Sequence, residues 1–275
     1  MTPPVCEMIS LVERLASASA LRLYLDYDGT LADFAPTPDD VLPDPEIADL
    51  ICRLAQAPRT EVAIISGRRL SHIEALVPVA GILLAGTYGI ELRWPSGATS
   101  YRVDWSAIRP VLDELKPRWA ALISNQQGFY LEDKNWAMAL HARFADDSAA
   151  AVALESAQRL AAEAIRTAPA GQFRILGGHK FLEIGPAQAN KGSTIEFLSD
   201  RDPQPDALLV YIGDDDKDEE AFAAILAQNG LAVVVAKEDR PSLAACRVPS
   251  PVAVRELLQL LADRRGVPPP VETAG

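Results

Sequence analysis

The sequence predicts an α/β protein: a parallel sheet with helices on both faces, interrupted by an inserted α+β module. Three observations lead there. Short Leu-rich or β-branched runs alternate with amphipathic helical stretches at both ends of the chain, the pattern of βαβ units, whose crossovers make neighbouring strands parallel and cover the sheet on both sides. The middle, from about Ser106 to Pro186, instead reads helix, strand pair, helix, strand pair, as in an antiparallel sheet backed by helices. The βα pattern then resumes at Lys191, so the middle module interrupts the first domain rather than following it.

In chain order, core strands are expected at Leu21 to Tyr27, Glu61 to Ile65, Ile82 to Ala85, Ala207 to Ile212 and Leu231 to Val235. Asp44-Pro45 pairs an N-cap residue with proline at the first helical position, which opens a helix reaching about Ala57. Further core helices are expected after Ser66, Asn190 and Asp216. Within the insert, Ala-rich helices span Trp105 to Ser124 and Asp146 to Thr167. The strand pairs that follow are Phe129 to Glu132 with Trp136 to Ala142, and Phe173 to Leu176 with Lys180 to Ile184. The expected organisation is a core of residues 1–104 and 188–265, an insert of residues 105–187, and a disordered tail from Gly266.

Twenty-six basic and 38 acidic residues among 275 give a net charge of −12. That balance, without a cluster of Lys and Arg, argues against a nucleic-acid or anionic-membrane surface. The longest apolar runs fall far short of the ~20 residues that cross a bilayer, and Met1 to Glu7 lacks the basic start and apolar stretch of a secretory signal. The expectation is a cytoplasmic enzyme with a small-molecule substrate and no membrane or nucleic-acid partner, its oligomeric state left open with a monomer as the simplest form. Cys6, Cys52 and Cys246 are scattered, in no metal-ligand spacing, and are expected as buried reduced thiols.

The chemistry concentrates at strand ends. Asp26 and Asp28 are two apart at the end of an apolar strand, where alternation would put both on one face. In a doubly wound sheet, ligands bind beyond the carboxyl ends of the strands. An Asp-Gly turn is common in loops, and taken alone Asp28-Gly29 is no more than that. A second acidic run, Asp214-Asp215-Asp216-Lys217-Asp218, follows another buried strand. Like charges converging in one crevice repel unless a cation offsets them, and oxygen ligands suit a hard ion such as Mg²⁺. A solvated helix start would also favour such acids. Both readings hold if Asp214 is a ligand while Asp215 and Asp218 support it from behind. Ser66-Gly67-Arg68 and Asn190-Lys191-Gly192 bring a hydroxyl, backbone N–H groups and an ammonium to two further strand ends, as phosphate binding requires.

Together, in the order Asp-x-Asp, Ser, Lys, Gly-Asp-Asp-x-x-Asp, these elements resemble the haloacid dehalogenase (HAD) superfamily of phosphotransferases, which implies a Rossmann-like core. The resemblance implies Asp26 as nucleophile, Asp28 as general acid/base, Ser66, Gly67 and Lys191 on the phosphoryl group, and Mg²⁺ held by Asp26, the Asp28 main-chain carbonyl and Asp214. The insert narrows it. Glu132-Asp133-Lys134, His141-Ala142-Arg143 and Glu183-Ile184-Gly185-Pro186 resemble the C2-type cap of trehalose-6-phosphate phosphatases, implying that Glu132, Lys134, Arg143 and Glu183 contact the sugar phosphate. Three positions depart from that family's pattern: Tyr88 where His is usual, Gly185 where a basic residue is usual, and Lys217 where Thr is usual. The implied activity is Mg²⁺-dependent hydrolysis of trehalose 6-phosphate. Hydrolysis of another sugar phosphate, a phosphohexomutase, and a non-catalytic regulatory subunit are the alternatives.

Overall fold

A computed structural model describes residues 2–33 and 40–266, which form two compact units: Met1–Ser100 with Asn190–Gly275, and Tyr101–Ala189. The strands are β1 (Ala20–Leu25), β2 (Thr60–Ile65), β3 (Leu83–Gly86), β4 (Glu91–Arg93), β5 (Thr99–Tyr101), β6 (Tyr130–Asp133), β7 (Met138–His141), β8 (Phe173–Gly178), β9 (Phe181–Pro186), β10 (Ala207–Gly213), β11 (Leu231–Val235) and β12 (Cys246–Val248). The helices are α1 (Met8–Ser17), α2 (Pro45–Gln56), α3 (Leu70–Leu76), α4 (Trp105–Ile123), α5 (Asp147–Ala164), α6 (Lys191–Arg201), α7 (Asp218–Ala227) and α8 (Pro251–Arg264).

In the first unit an eight-stranded sheet runs in the order β12-β11-β10-β1-β2-β3-β4-β5. Every pair from β12 to β3 is parallel, and β4 returns antiparallel to β3. The strands are apolar throughout because both faces are covered. Leu23, Leu25, Ile64 and Ile212 pack with α1, α2 and α8 residues on one side, while Tyr24, Ile65, Tyr211 and Val234 pack with α6 and α7 residues on the other. Each fully buried Leu or Ile contributes roughly 1.5–3 kcal/mol relative to exposure. Central β1, all six residues of which are buried, is therefore held rigidly, and with it the loop that leaves its carboxyl end.

Several elements differ from the sequence reading. The strand containing Leu21 ends at Leu25, so Asp26 and Asp28 lie in the loop beyond it and strand alternation does not govern their directions. The helix expected directly after Ser66 starts only at Leu70. The helices α1 and α8, and the three-residue strands β4, β5 and β12, were not anticipated. α8 nevertheless carries ordinary start signals, since Ser250 Oγ accepts from the Ala253 N–H at 3.2 Å and Pro251 stands in its first turn. Beyond Gly266, the expected tail lies outside the described residues.

The thiol expectation is also corrected. Cys6 and Cys246 form a disulfide, with Cα atoms 5.1 Å apart, and Cys52 is the free cysteine. The cause is a pairing across 240 residues of sequence that spacing cannot reveal: Cys6 N–H donates to Arg247 O and Arg247 N–H to Pro4 O, each at 2.8 Å. The segment around Val5 thus lies parallel to β12.

The second unit is an antiparallel sheet, β6-β7-β9-β8, with two helices. Ala150, Ala153, Ala157, Ala161 and Ala164 form a buried stripe along α5. That stripe lets α4 approach closely enough for the Trp119 indole to donate to Ala157 O at 3.0 Å. Pro110 and Pro117 sit inside α4, where tertiary packing outweighs their ordinary cost to a helix.

Candidate active site

The core site is assembled by the loops leaving β1, β2 and β10 and by the start of α6. Asp26 N–H donates to Ile212 O at 2.9 Å, continuing the β1–β10 ladder one residue past the strand and setting Asp26 beside Gly213-Asp214. Gly213 is required there: a Cβ on it would lie 2.4 Å from the Asp218 carboxyl carbon. Asp218, fully buried, is saturated. One oxygen accepts from Lys191 Nζ and Tyr211 Oη, both at 2.6 Å, and the other accepts from the N–H groups of Asp214 and Asp215 at 2.8 and 2.9 Å. Asp215 in turn accepts from the Lys217 and Asp218 N–H groups, fixing the turn into α7.

Lys191, at the first position of α6 with Asn190 as its cap, bridges two acids. Its ammonium lies 2.8 Å from Asp26 Oδ1 as well as 2.6 Å from Asp218. Asp26, Asp214 and Asp218 each offer a carboxylate oxygen within 4.8 Å of the others. One ammonium against three acids leaves the cluster short of positive charge. Burial raises the Asp26 carboxyl well above the usual carboxylate range, Asp218 and Asp214 add to it, and Lys191 opposes it. Burial, then Asp218 and Asp215, push Asp214 up to about 7. A hard cation among these oxygens would offset that repulsion, so the donor set fits one.

Asp28 turns elsewhere. Its two oxygens accept from Arg68 Nε and Nη2, both at 2.7 Å, a fork-to-fork pairing that fixes the carboxylate plane. Gly29, at φ 74°, makes the turn that follows. Ser66 is buried, and its hydroxyl accepts from the Arg68 N–H at 3.1 Å. A side chain on Gly67 would meet the Tyr88 ring at 2.8 Å. Two of the three departures from the family pattern also come together: Lys217 Nζ stands 5.8 Å from the centre of the Tyr88 ring, a cation over a π face. The sequence reading missed the roles of Arg68 and Tyr211. Arg68 was visible beside Ser66, and a tyrosine inside an apolar strand signals a buried hydroxyl in need of a partner.

In the second unit, cross-strand register aligns Glu132, Ala139 and Glu183 on one sheet face, with Tyr130, His141 and Phe181 in the next row. Lys134 Nζ lies 2.6 Å from Glu183 Oε2 and 3.9 Å from Glu132 Oε2, and His141 Nε2 is 3.1 Å from the same Glu132 oxygen. Glu132, Lys134 and Glu183 thus form one cluster. Arg143 is exposed in the turn after β7.

A trehalose-phosphatase family model matches residues 24–251. The chain is 32% identical over 240 residues to a probable trehalose-phosphate phosphatase of Sinorhizobium fredii, covering 87% of each chain. It is 33% identical to a Mycobacterium tuberculosis protein described as an uncharacterized glycosyl hydrolase, across 94% of this chain but 20% of that one. The chain therefore spans about a fifth of the latter's length. Among solved structures, the C-terminal domain of a Candida albicans trehalose-6-phosphate phosphatase superposes with a TM-score of 0.80 at 20% identity, covering 95% of this chain and 98% of that one. The C-terminal domain of a Candida albicans trehalose synthase regulatory protein shares the fold at a TM-score of 0.76 and 12% identity, over 94% and 99% of the two chains.

Proposed function

Since this chain belongs to the trehalose-phosphatase family, we propose that it hydrolyses trehalose 6-phosphate to trehalose and phosphate through an aspartyl-phosphate intermediate. The observation that carries this reading is the buried Lys191 bridging Asp26 and Asp218 at the strand ends, with Asp214 alongside. Held by Asp26, the Asp28 carbonyl and Asp214, Mg²⁺ would neutralise phosphate charge and polarise the phosphoryl oxygens.

The chain's own groups do the rest. Lys191 offsets the dianion that would otherwise repel the Asp26 carboxylate, while Ser66 and Gly67 orient the phosphoryl oxygens. Asp26 attacks phosphorus, the bond from phosphorus to the sugar oxygen breaks, and Asp28 gives that oxygen its proton. Asp28 then takes a proton from the water that attacks the Asp26-bound phosphoryl group, and phosphate and the Asp26 carboxylate are released. Because Arg68 grips both Asp28 oxygens, that grip loosens when Asp28 carries the proton. Glu132, Lys134, Arg143 and Glu183 recognise sugar hydroxyls.

A second reading, phosphatase of a different sugar phosphate, is favoured by the paired departures Tyr88 and Lys217. Among the described residues no helix is long and apolar enough to cross a membrane. A cytoplasmic location is part of the proposal, and the Cys6–Cys246 bond weighs against it, since such bonds persist in oxidising compartments. Phosphate release from trehalose 6-phosphate and glucose 6-phosphate, with Mg²⁺ or EDTA and no bisphosphate activator, tests the reading. Preference for the disaccharide, abolished by EDTA, supports it. Equal rates on both sugars sink the trehalose assignment, and a requirement for a bisphosphate sinks hydrolysis in favour of a mutase.

A further inference from the structure

The turn that carries Asp214 is tied on two sides. From one side Asp218 Oδ2 accepts from the Asp214 N–H at 2.8 Å and from the Asp215 N–H at 2.9 Å. Two bonds converging on a single oxygen make a pivot, about which the turn could still rock. Bonds to the carbonyls of the same residues remove that freedom. Arg240 supplies them, donating from Nη1 to Asp214 O at 2.6 Å and from Nη2 to Asp215 O at 3.3 Å.

Arg240 stands 26 positions beyond Asp214, in the loop between β11 and β12, and it is itself held. Its Nη2 also donates to Glu219 Oε1 at 2.7 Å, and the other Glu219 oxygen accepts from the Leu243 N–H of the same loop at 2.8 Å. The start of the loop is gripped from β12, where the Arg247 guanidinium donates to Ala236 O at 3.1 Å and Lys237 O at 2.9 Å and pairs with Asp239. The charge of Arg240 is offset by Glu219, with Asp216 Oδ1 3.6 Å away. A planar guanidinium with several donors in a fixed fork can span two carbonyls and a carboxylate at once. The catalytic scheme gives this residue no part.

We propose that Arg240 is a positioning residue for the cation site, which locks the Asp214-Asp215 turn so that the Asp214 carboxylate is set beside Asp26 before the ion arrives. The proposal rests on the reading of Asp214 as a Mg²⁺ ligand. A ligand ordered in advance loses less freedom on binding, so the lock strengthens affinity. Groups that orient a metal ligand from behind typically change metal affinity by about 10- to 100-fold. Charge alone predicts the opposite sign: a guanidinium repels an incoming cation, and removing it would tighten binding.

The test titrates the metal-free full chain with Mg²⁺ by calorimetry and follows backbone hydrogen exchange in residues 213–219 without metal. Arg240→Met should raise the Kd for Mg²⁺ by about tenfold and quicken exchange in that segment. The Mg²⁺ concentration giving half-maximal hydrolysis of p-nitrophenyl phosphate should rise by the same factor. Arg240→Lys keeps the charge but replaces the planar fork with a single ammonium, so its Kd should fall between wild type and Arg240→Met. If Arg240→Met fails to fold, the comparison of Arg240→Lys with wild type decides. The proposal is overturned if folded Arg240→Met binds Mg²⁺ as tightly as wild type or more tightly, if exchange in residues 213–219 is unchanged, or if Arg240→Lys matches wild type. Wild type that binds no Mg²⁺ would instead remove Asp214 as a metal ligand, and this role of Arg240 with it.

Discussion

Replacing Lys191 with methionine removes the one ammonium that joins Asp26 to Asp218 while keeping a side chain of similar length. In the native site Lys191 Nζ lies 2.8 Å from one acid and 2.6 Å from the other, with the side chain almost wholly buried. Without it, Asp26, Asp214 and Asp218 retain oxygens within 4.8 Å of one another. Stripping one partner from a buried ion pair typically costs about 3–5 kcal/mol, because a charge is left in a poorly solvated place. At roughly 2–4 °C per kcal/mol for a chain of this size, the melting temperature should fall by roughly 6–20 °C at neutral pH. Lys191→Met/Asp218→Asn, which removes a carboxylate charge together with the ammonium, should recover part of that loss, so the two changes should couple rather than add. Chemical and thermal unfolding of the wild type, both single variants and the double variant, in EDTA, measures this directly. If Lys191→Met unfolds within about 1 kcal/mol of wild type, or if the double variant loses the sum of the single effects, the cluster is not electrostatically coupled as argued.

Glu183→Gln keeps the shape of a cap carboxylate but removes its charge. It should lower kcat/KM for trehalose 6-phosphate by roughly ten- to a hundredfold while sparing p-nitrophenyl phosphate, and equal losses on both would remove Glu183 from sugar recognition. Asp133 accepts from Arg109 at 2.7 and 2.8 Å and from Lys116 at 2.8 Å, and the Arg109 bonds hold its carboxyl well below the usual carboxylate range. A depressed native value stabilises above the unfolded value and is lost on acidification. Asp133→Asn should therefore be less stable than wild type at neutral pH, with the gap closing below about pH 4; a gap independent of pH would contradict the pairing. Cys6→Ser should cost about 2–5 kcal/mol in urea unfolding, and dithiothreitol should lower the wild-type midpoint to match. A midpoint indifferent to reductant would show that the bridge does not form.

How much of this could be read from sequence depends on the range of the forces involved. The core strands were legible because burial on both faces leaves a continuous apolar run, as in Leu23-Tyr24-Leu25, and the cluster of Asp26, Asp214, Asp218 and Lys191 could be suspected because its members stand beyond the ends of such runs. The second unit was legible through the helices Trp105–Ile123 and Asp147–Ala164, each long enough to show its period. The three-residue strands β4, β5 and β12 are too short to alternate visibly. The Arg68–Asp28 clamp and the Cys6–Cys246 bridge join residues 40 and 240 positions apart, so only the folded chain brings them together. Alternation misjudged Asp28 for a simpler reason: the strand ends at Leu25, and the turn at Gly29 sets the direction instead.

The central claim, a covalent role for Asp26, has a direct test. Asp28→Asn should slow release of phosphate more than its transfer when the leaving group needs no proton. Under single turnover with ³²P-labelled p-nitrophenyl phosphate and Mg²⁺, followed by an acid quench, the account predicts that this variant carries acid-stable, alkali-labile label on the peptide containing Asp26. The Asp26→Asn variant should carry none and release no phosphate. Label on any other residue, or turnover by Asp26→Asn near the wild-type rate, would contradict it.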